Sequence, residues 1–217
     1  MRKPQFEGIA LNLLPRLPGY SVHGWLLHHS PDDGILRGFC CDHSGVDPDC
    51  FALVAFALPL FMPLPGGLHL NFGRRLRDED GRELRWNRLG SNLETSLLCA
   101  ILKADAIYFQ PHMTKPNPAN QLRSLGDPTD PYLAEAIAFC HARVGNRFAA
   151  LQSIRSLAGS LDPSIPWHNA MATRLATLDA LLETNPAELV SRTEQWIQSN
   201  YHDLGLDSPE TRLHRHG

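Results

Sequence analysis

The sequence predicts an α+β fold, in which a five-stranded antiparallel meander over residues 20–89 is followed by a C-terminal layer of about four to five helices. Short turn-forming segments divide residues 20–89, whereas helical periodicity dominates after Gly90. Residues 51–58 are apolar at both odd and even positions, so we expect that strand to be buried on both faces. The chain has 217 residues, of which 43% are hydrophobic, and it is therefore long enough to bury a sizeable core.

The five predicted strands are separated by turns of a few residues. The strands cover residues 20–29, 35–43, 50–62, 68–77 and 82–89. Gly, Pro and Asp are concentrated in the connecting segments 31–34, 44–49, 63–67 and 78–81. Turns this short can join antiparallel strands, whereas parallel strands need a much longer crossover. The pattern therefore predicts consecutive hairpins.

A first helix is predicted directly after the sheet. Apolar residues repeat at helical spacing over 93–101, and Ser91 with Glu94 fits the capping box that begins many helices. The next segment, 109–130, contains four prolines among Asn, Thr and Asp residues. That composition is typical of a linker or a long ordered loop. We therefore expect a first domain, 1–108, that ends where this segment begins.

The rest of the chain is predicted to be helical. Asp130 can cap a helix that has Pro131 at its first position, and Gly145 can end that helix. Apolar residues then repeat every three or four positions in three further segments. We expect the helices of 131–204 to pack on the sheet and the polar tail, 205–217, to fray.

One helical hairpin carries a resemblance to a known family. Residues 136–163 have Gly145 and Asn146 at the bend, Ala150 soon after it and Pro163 at the end. This arrangement resembles one tetratricopeptide unit over about 30 residues, without a second copy at a fixed period. The resemblance implies a surface that binds a protein or a peptide.

Charge and cysteine content restrict the classes of function. The formal net charge is −3 at pH 7 and neither half of the chain is basic, so nucleic acid is not an expected partner. The five cysteines are odd in number and do not follow the spacing of a disulfide framework. The longest apolar run is interrupted by prolines and is too short to span a bilayer. We therefore expect a cytoplasmic protein without a membrane association.

A segment rich in cysteine and histidine is the candidate for metal chemistry. The expected hairpin registers place Cys41, His43 and Cys50 on one face, near one end of the sheet. Thiolates and imidazoles are the ligands that zinc prefers, and Asp47 or Asp49 could complete a tetrahedral set. Zinc is therefore the one cofactor that the sequence indicates.

The same registers give a catalytic alternative on the opposite face. They place His23 opposite Asp42, which could orient the imidazole as a general base with a cysteine nearby. The other interpretation is structural. In that case Cys40, Cys41 and Cys50 are small buried hydrophobic residues, and the histidine and the aspartate form a cross-strand polar pair.

Arginines are concentrated on both sides of the turn at 78–81. They are Arg74, Arg75, Arg77, Arg82, Arg85 and Arg88. Such a group could bind an anion or an acidic partner. Acidic residues lie among the arginines, however, and the alternative is a solvated ladder of cross-strand ion pairs.

Motifs with a specific chemical meaning are absent from the sequence. The chain has no phosphate-binding loop, no GxGxxG, no GxSxG, no HExxH and no CxxC. Our leading hypothesis is a non-catalytic protein-interaction module of the accessory or inhibitor type, with another protein as its partner. The alternative is a metal-binding protein or a hydrolase-like enzyme that uses the His23/Cys41/Asp42/His43/Cys50 region.

Overall fold

A computed structural model describes residues 2–30, 33–43, 47–64, 70–114 and 117–206. These residues fall into two compact units. The sheet unit comprises the described residues of Met1–Leu58 and Phe72–Asn117. The helical unit comprises the described residues of Pro59–Asn71 and Pro118–Gly217. The predicted α+β class is confirmed.

The sheet has six strands in the described part of the chain. They are β1 (Tyr20–His23), β2 (Leu26–His29), β3 (Ile35–His43), β4 (Cys50–Pro59), β5 (Gly73–Arg75) and β6 (Trp86–Asn87). Strands β1 to β5 follow one another across the sheet in chain order, as a meander requires. The additional strand β6 pairs antiparallel with the start of β4.

The predicted first strand, 20–29, is in fact two strands. Gly24 has a φ of +58° and turns the chain back, so that β2 pairs with β1 and His23 lies opposite Leu26. A positive φ is readily adopted only by glycine, which explains the position of the turn. The register with β3 also differs by one residue from the expected one, because Leu26 pairs with Cys40.

The strands predicted at 68–77 and 82–89 are much shorter in the structure. β5 has three residues and β6 has two, and an isolated bridge joins Arg77 to Glu83 between them. Charged, exposed side chains dominate this hairpin, which gives it little apolar area with which to extend the sheet. Residues 65–69, where the predicted fourth strand begins, lie outside the described residues, as do parts of the turns at 31–34 and 44–49.

Burial of the central strand is confirmed, since every residue of 51–59 in β4 is buried. Helices of the sheet unit cover part of it. Phe6 of α1 (Lys3–Leu13) meets Phe51 edge to face, with ring centroids 6.4 Å apart. On β3, Phe39 makes a similar contact with Phe109 at 5.4 Å.

The helix after the sheet, α2 (Leu93–Tyr108), begins differently from the prediction. Its N-cap residue is Asn92, so the capping box with Ser91 is wrong. The side chain of Glu94 instead accepts a hydrogen bond of 2.8 Å from Asn12 in α1. The carboxylate therefore connects two helices rather than closing the first turn of its own helix.

Much of what the structure describes of the segment 109–130 is helical, rather than a linker or a loop. It contains α3 (Gln110–Thr114) in the sheet unit and α4 (Pro118–Leu125) in the helical unit. The apolar side chains of Leu122 and Leu125 are buried and anchor α4, whose one proline is at its first position, where a helix tolerates it.

The helical unit continues with four longer helices. They are α5 (Pro131–Arg143), α6 (Arg147–Ala158), α7 (Pro166–Thr184) and α8 (Pro186–Asp203). The predicted start of α5 is confirmed, because the Asp130 side chain accepts a hydrogen bond from the backbone of Tyr132. Gly145 follows the end of α5 with a φ of +73°. Residues 207–217, most of the predicted tail, lie outside the described residues.

The segment after β4 also belongs to the helical unit, which the sequence did not predict. Leu60, Phe61 and Met62 are buried. The side-chain amide of Asn200 in α8 donates to the carbonyls of Leu60 and Met62, at 2.7 Å and 2.8 Å. The guanidinium of Arg143 lies 4.7 Å from the centre of the Phe61 ring. This early segment is therefore an integral part of the helical core.

Candidate functional site

The predicted zinc ligands do not converge. Among the described residues, no three His, Cys, Asp or Glu side chains are grouped so that they could hold a metal ion. Burial raises the pKa of the Cys41 thiol to about 12, which disfavours the thiolate that zinc binds. His43 is exposed and stacks on Trp25 at 5.6 Å between ring centroids. Hydrogen bonding with Asp47 raises the pKa of Cys50.

The predicted pairing of His23 with Asp42 is wrong. His23 lies opposite Leu26, because the turn at Gly24 ends β1 before it can reach β3. The Oδ2 atom of Asp42 accepts hydrogen bonds from Nε and Nη2 of Arg75, at 2.9 Å and 2.6 Å. The general base and its orienting carboxylate are therefore not assembled.

The arginine hairpin is largely compensated by acidic side chains. The ion pairs are Arg75 with Asp42 and Glu83, Arg82 with Asp80, Arg85 with Glu83, and Arg88 with Asp49. Arg77 donates to the carbonyl of Gly81 at 2.8 Å. In the part of the chain that the structure describes, only Arg74 of the six arginines has no such contact. Little uncompensated charge remains here for an anion.

A buried polar cluster that the sequence did not predict joins the first hairpin to α2. The Oδ1 atom of Asp105 accepts a hydrogen bond of 2.6 Å from the Tyr20 hydroxyl and lies 3.1 Å from Nε2 of His29. Its Oδ2 atom accepts a hydrogen bond of 2.7 Å from the Gln110 amide. Asp105 and His29 are only 7% and 6% exposed, so the cluster is closed to a substrate.

The electrostatics of this cluster fit a structural role. Burial opposes ionisation of Asp105, but the hydrogen bonds from His29, Tyr20 and Gln110 outweigh it and hold the pKa of the carboxyl below its usual value. Burial, followed by the hydrogen bond to Asp105, raises the pKa of Tyr20 far above its ordinary value. The phenol therefore stays protonated and keeps donating to the carboxylate.

The helical unit has a buried charge pair of its own. Glu135 on α5 is fully buried, and its two carboxylate oxygens accept hydrogen bonds from Nε and Nη2 of Arg174 on α7, at 2.7 Å and 2.9 Å. Burial raises the pKa of Glu135, and the guanidinium only partly offsets this. The pair ties α5 to α7.

An open apolar groove lies where α5 meets α6 and α7 meets α8, and its volume is about 420 Å³. Its floor consists of buried residues, which are Ala142, Leu182, Leu189 and Thr193. Pro186 and Val190 extend the apolar lining to the surface. The groove exists because both connections are short: Gly145 turns α5 into α6, and Asn185 caps α8 directly after α7.

Large apolar side chains are exposed at and beside this groove. Val190, which lines it, is 63% exposed. Val144 and Phe148 adjoin lining residues in the sequence and are 64% and 80% exposed. Exposed apolar residues are common when they are scattered, but a concentration around a concave apolar surface is typical of a binding site.

The rim of the groove is charged. It carries Arg143, Arg147 and Glu194. The guanidinium of Arg143 lies 3.9 Å from the carboxylate of Glu194. Arg147 is exposed, and no carboxylate of the described residues forms an ion pair with it. The rim therefore has one uncompensated positive charge.

A second cavity, of about 480 Å³, lies between α5 and α6 and is lined by polar and apolar side chains in similar numbers. The polar ones include Thr129, Gln152, Ser153, Ser156 and Ser160. The groove at the other end of this hairpin has the stronger apolar character and is the candidate binding site.

Among the helices of the described residues, none combines the length and the apolar character needed to cross a bilayer.

Comparisons with protein-family models, with curated proteins and with solved structures give no match.

Proposed function

We propose that this protein is a non-catalytic interaction module of the accessory or inhibitor type, and that its helical unit binds a segment of another protein. The observation that carries the proposal is the open apolar groove with Leu182 and Leu189 in its floor and Val190 exposed in its wall. A groove of this size accommodates the anchor side chains of a peptide. Burying such side chains is the main favourable term in protein association.

The resemblance of residues 136–163 to a tetratricopeptide unit supports the same function. Helices α5 and α6 form the hairpin to which the resemblance applies, and the bend between them lines the groove through Gly145. Families built from such hairpins present protein-binding surfaces, so the position of the groove agrees with what the resemblance implies.

We further propose that the protein acts in the cytoplasm. All five cysteines are free thiols, which fits a reducing compartment. Burial raises the pKa of both Cys40 and Cys41 to about 12, so these adjacent thiols are poor nucleophiles and resist oxidation. A catalytic role for this region has less support, because Asp42 is engaged by Arg75 and His23 lies opposite Leu26.

Capture of partners by chemical cross-linking in cells tests the proposed function. The Val190→Asp variant places a carboxylate in the groove wall at an exposed position, where the cost to folding is small. Ile107→Asp is the matched control, since Ile107 is also β-branched, helical and 56% exposed but does not line the groove.

We expect the same cross-linked proteins with the wild type and with Ile107→Asp, and their loss with Val190→Asp. Identical sets from all three chains would overturn the proposed function. Circular dichroism of each purified variant checks that the fold is retained.

A further inference from the structure

We propose that the segment bound in the groove is acidic as well as apolar, with an Asp or Glu side chain that pairs with Arg147. This inference rests on the proposed function, since it names the chemistry of the partner for the same groove. The occupant is then an amphipathic stretch of another protein, whose apolar side chains cover Leu182, Leu189 and Val190.

The charge balance of the rim supports an acidic partner. Arg143 and Glu194 lie 3.9 Å apart and compensate one another. Arg147 is left with no ion pair to a described carboxylate, so the mouth of the groove carries a net charge of one positive unit. A basic segment would meet like charge at this point, whereas a carboxylate would be attracted.

The setting of Arg147 increases the value of such a pair. Val144 and Phe148, which are close to it in the sequence, are large, apolar and mostly exposed. A segment that covers these side chains would remove water from around the guanidinium. Coulombic attraction is stronger where water is partly excluded, so the acidic residue of the partner should contribute more than a fully solvated one.

Arg143 has a different part in the same rim. Its guanidinium packs over the Phe61 ring at 4.7 Å and its side chain is only 25% exposed. This packing fixes the rim beside Glu194 instead of leaving a long flexible side chain there. Arg147, which is exposed, is therefore the residue that can select the charge of the partner.

Selection from a random peptide-display library tests the inference. The peptides have about 16 residues, enough for roughly four helical turns, and are selected on the full wild-type chain and on Val190→Asp. We expect wild-type selection to enrich peptides that combine apolar residues at helical spacing with at least one Asp or Glu. The Val190→Asp chain should not enrich them.

The outcomes separate the two proposals. Groove-dependent peptides that are apolar but neutral or basic would overturn the acidic partner and leave the proposed function standing. Failure to enrich any peptide that depends on Val190 would overturn both.

Charge reversal at the rim provides a quantitative check with the enriched acidic peptide as the probe. Arg147→Glu should weaken its binding about tenfold, because one attractive contact is replaced by a repulsive one. Arg155→Glu is the matched control, since Arg155 is exposed on the same helix and does not line the groove. When the acidic residue of the peptide is replaced by Lys, the Arg147→Glu chain should bind the peptide more tightly than the wild type does. Equal losses for both variants would contradict the inference.

Discussion

The two units each bury a carboxylate, and they hold it by different means. In the sheet unit, both oxygens of Asp105 are engaged by three side chains from separate positions, Tyr20, His29 and Gln110. In the helical unit, the carboxylate of Glu135 meets a single guanidinium. The first arrangement is a network and the second is a pair.

The pKa values move in opposite directions at these two sites. Burial is the largest influence on both carboxyls, yet the pKa of Asp105 is lowered and that of Glu135 is raised. Several converging donors outweigh the loss of water around Asp105, whereas one guanidinium does not fully replace it around the completely buried Glu135. A formal positive partner is therefore not sufficient by itself to lower the pKa of a buried acid.

The largest effect is expected from breaking the pair. Arg174→Met leaves the Glu135 carboxylate buried without a cation and should lower the free energy of unfolding by about 3–5 kcal/mol. Urea denaturation at pH 7, followed by circular dichroism, measures it. As a control, the double variant Glu135→Leu/Arg174→Met should recover most of the lost free energy of unfolding, because neither charge is then present. A single variant as stable as the wild type would contradict this account of the pair.

The network should tolerate the loss of its charge better. Asp105→Asn keeps the shape of the side chain but replaces an ionic acceptor by a neutral amide, and it should cost about 2 kcal/mol in the same urea experiment. Glu94→Gln in the same helix is the control, because Glu94 is exposed and its loss of charge should cost less than about 0.5 kcal/mol. Equal costs would show that burial of Asp105 is not what matters.

Removing one donor from the network should have a smaller effect again. Tyr20→Phe deletes the hydroxyl that donates to Asp105 at 2.6 Å, and the remaining donors are still in place. We expect a loss of about 1 kcal/mol in thermal or urea unfolding. Tyr108→Phe is the control, since no hydrogen bond of the Tyr108 hydroxyl is found among the described residues. A larger loss for Tyr20→Phe than for Asp105→Asn would invert the proposed order.

The smallest signal is the pH dependence, to which the two sites contribute with opposite signs. A lowered pKa in the folded state means that Asp105 contributes stability above about pH 4, its unfolded pKa, and loses it as the pH falls further. A raised pKa means that Glu135 favours folding most below about pH 4, and this contribution declines as the pH rises through the folded pKa.

Two variants separate the pH dependence of stability at Asp105 from that at Glu135. The stability difference between wild type and Asp105→Asn should shrink as the pH falls from 5 to 3. The wild type should lose stability relative to Glu135→Gln as the pH rises from 4 to 7. Urea midpoints at each pH provide the measurement, and slopes of the same sign for both pairs would refute the contrast between network and pair.

Much of the fold could be read from local patterns. Residues 51–58 are apolar at both odd and even positions, which favours a strand buried on both faces, as β4 confirms. Asp130 and Pro131 define the start of α5 by a mechanism that acts within a few residues. The turn at Gly24 could not be predicted in the same way, because one glycine in an alternating segment can mark either a bulge or a turn.

The sites depend on contacts that local patterns do not contain. Tyr20 and Asp105 are separated by 85 residues, and their meeting is decided by how α2 packs on the first hairpin. One signal was present: Asp105 follows Ile101 by four positions and so continues the apolar face of the helix, where a charged residue is unusual. The groove could not be predicted either, since it depends on how four helix ends meet.

The side-chain amide of Asn200 closes a loop of about 140 residues when it binds the carbonyls of Leu60 and Met62. Neither unit is a continuous stretch of chain, so residues 118–206 expressed alone would lack part of their own core and would leave this amide without its acceptors. During synthesis, the carbonyls of Leu60 and Met62 must wait until α8 is made before the amide of Asn200 can bind them. The groove, which α8 lines through Leu189 and Val190, is likewise completed only once that helix is made.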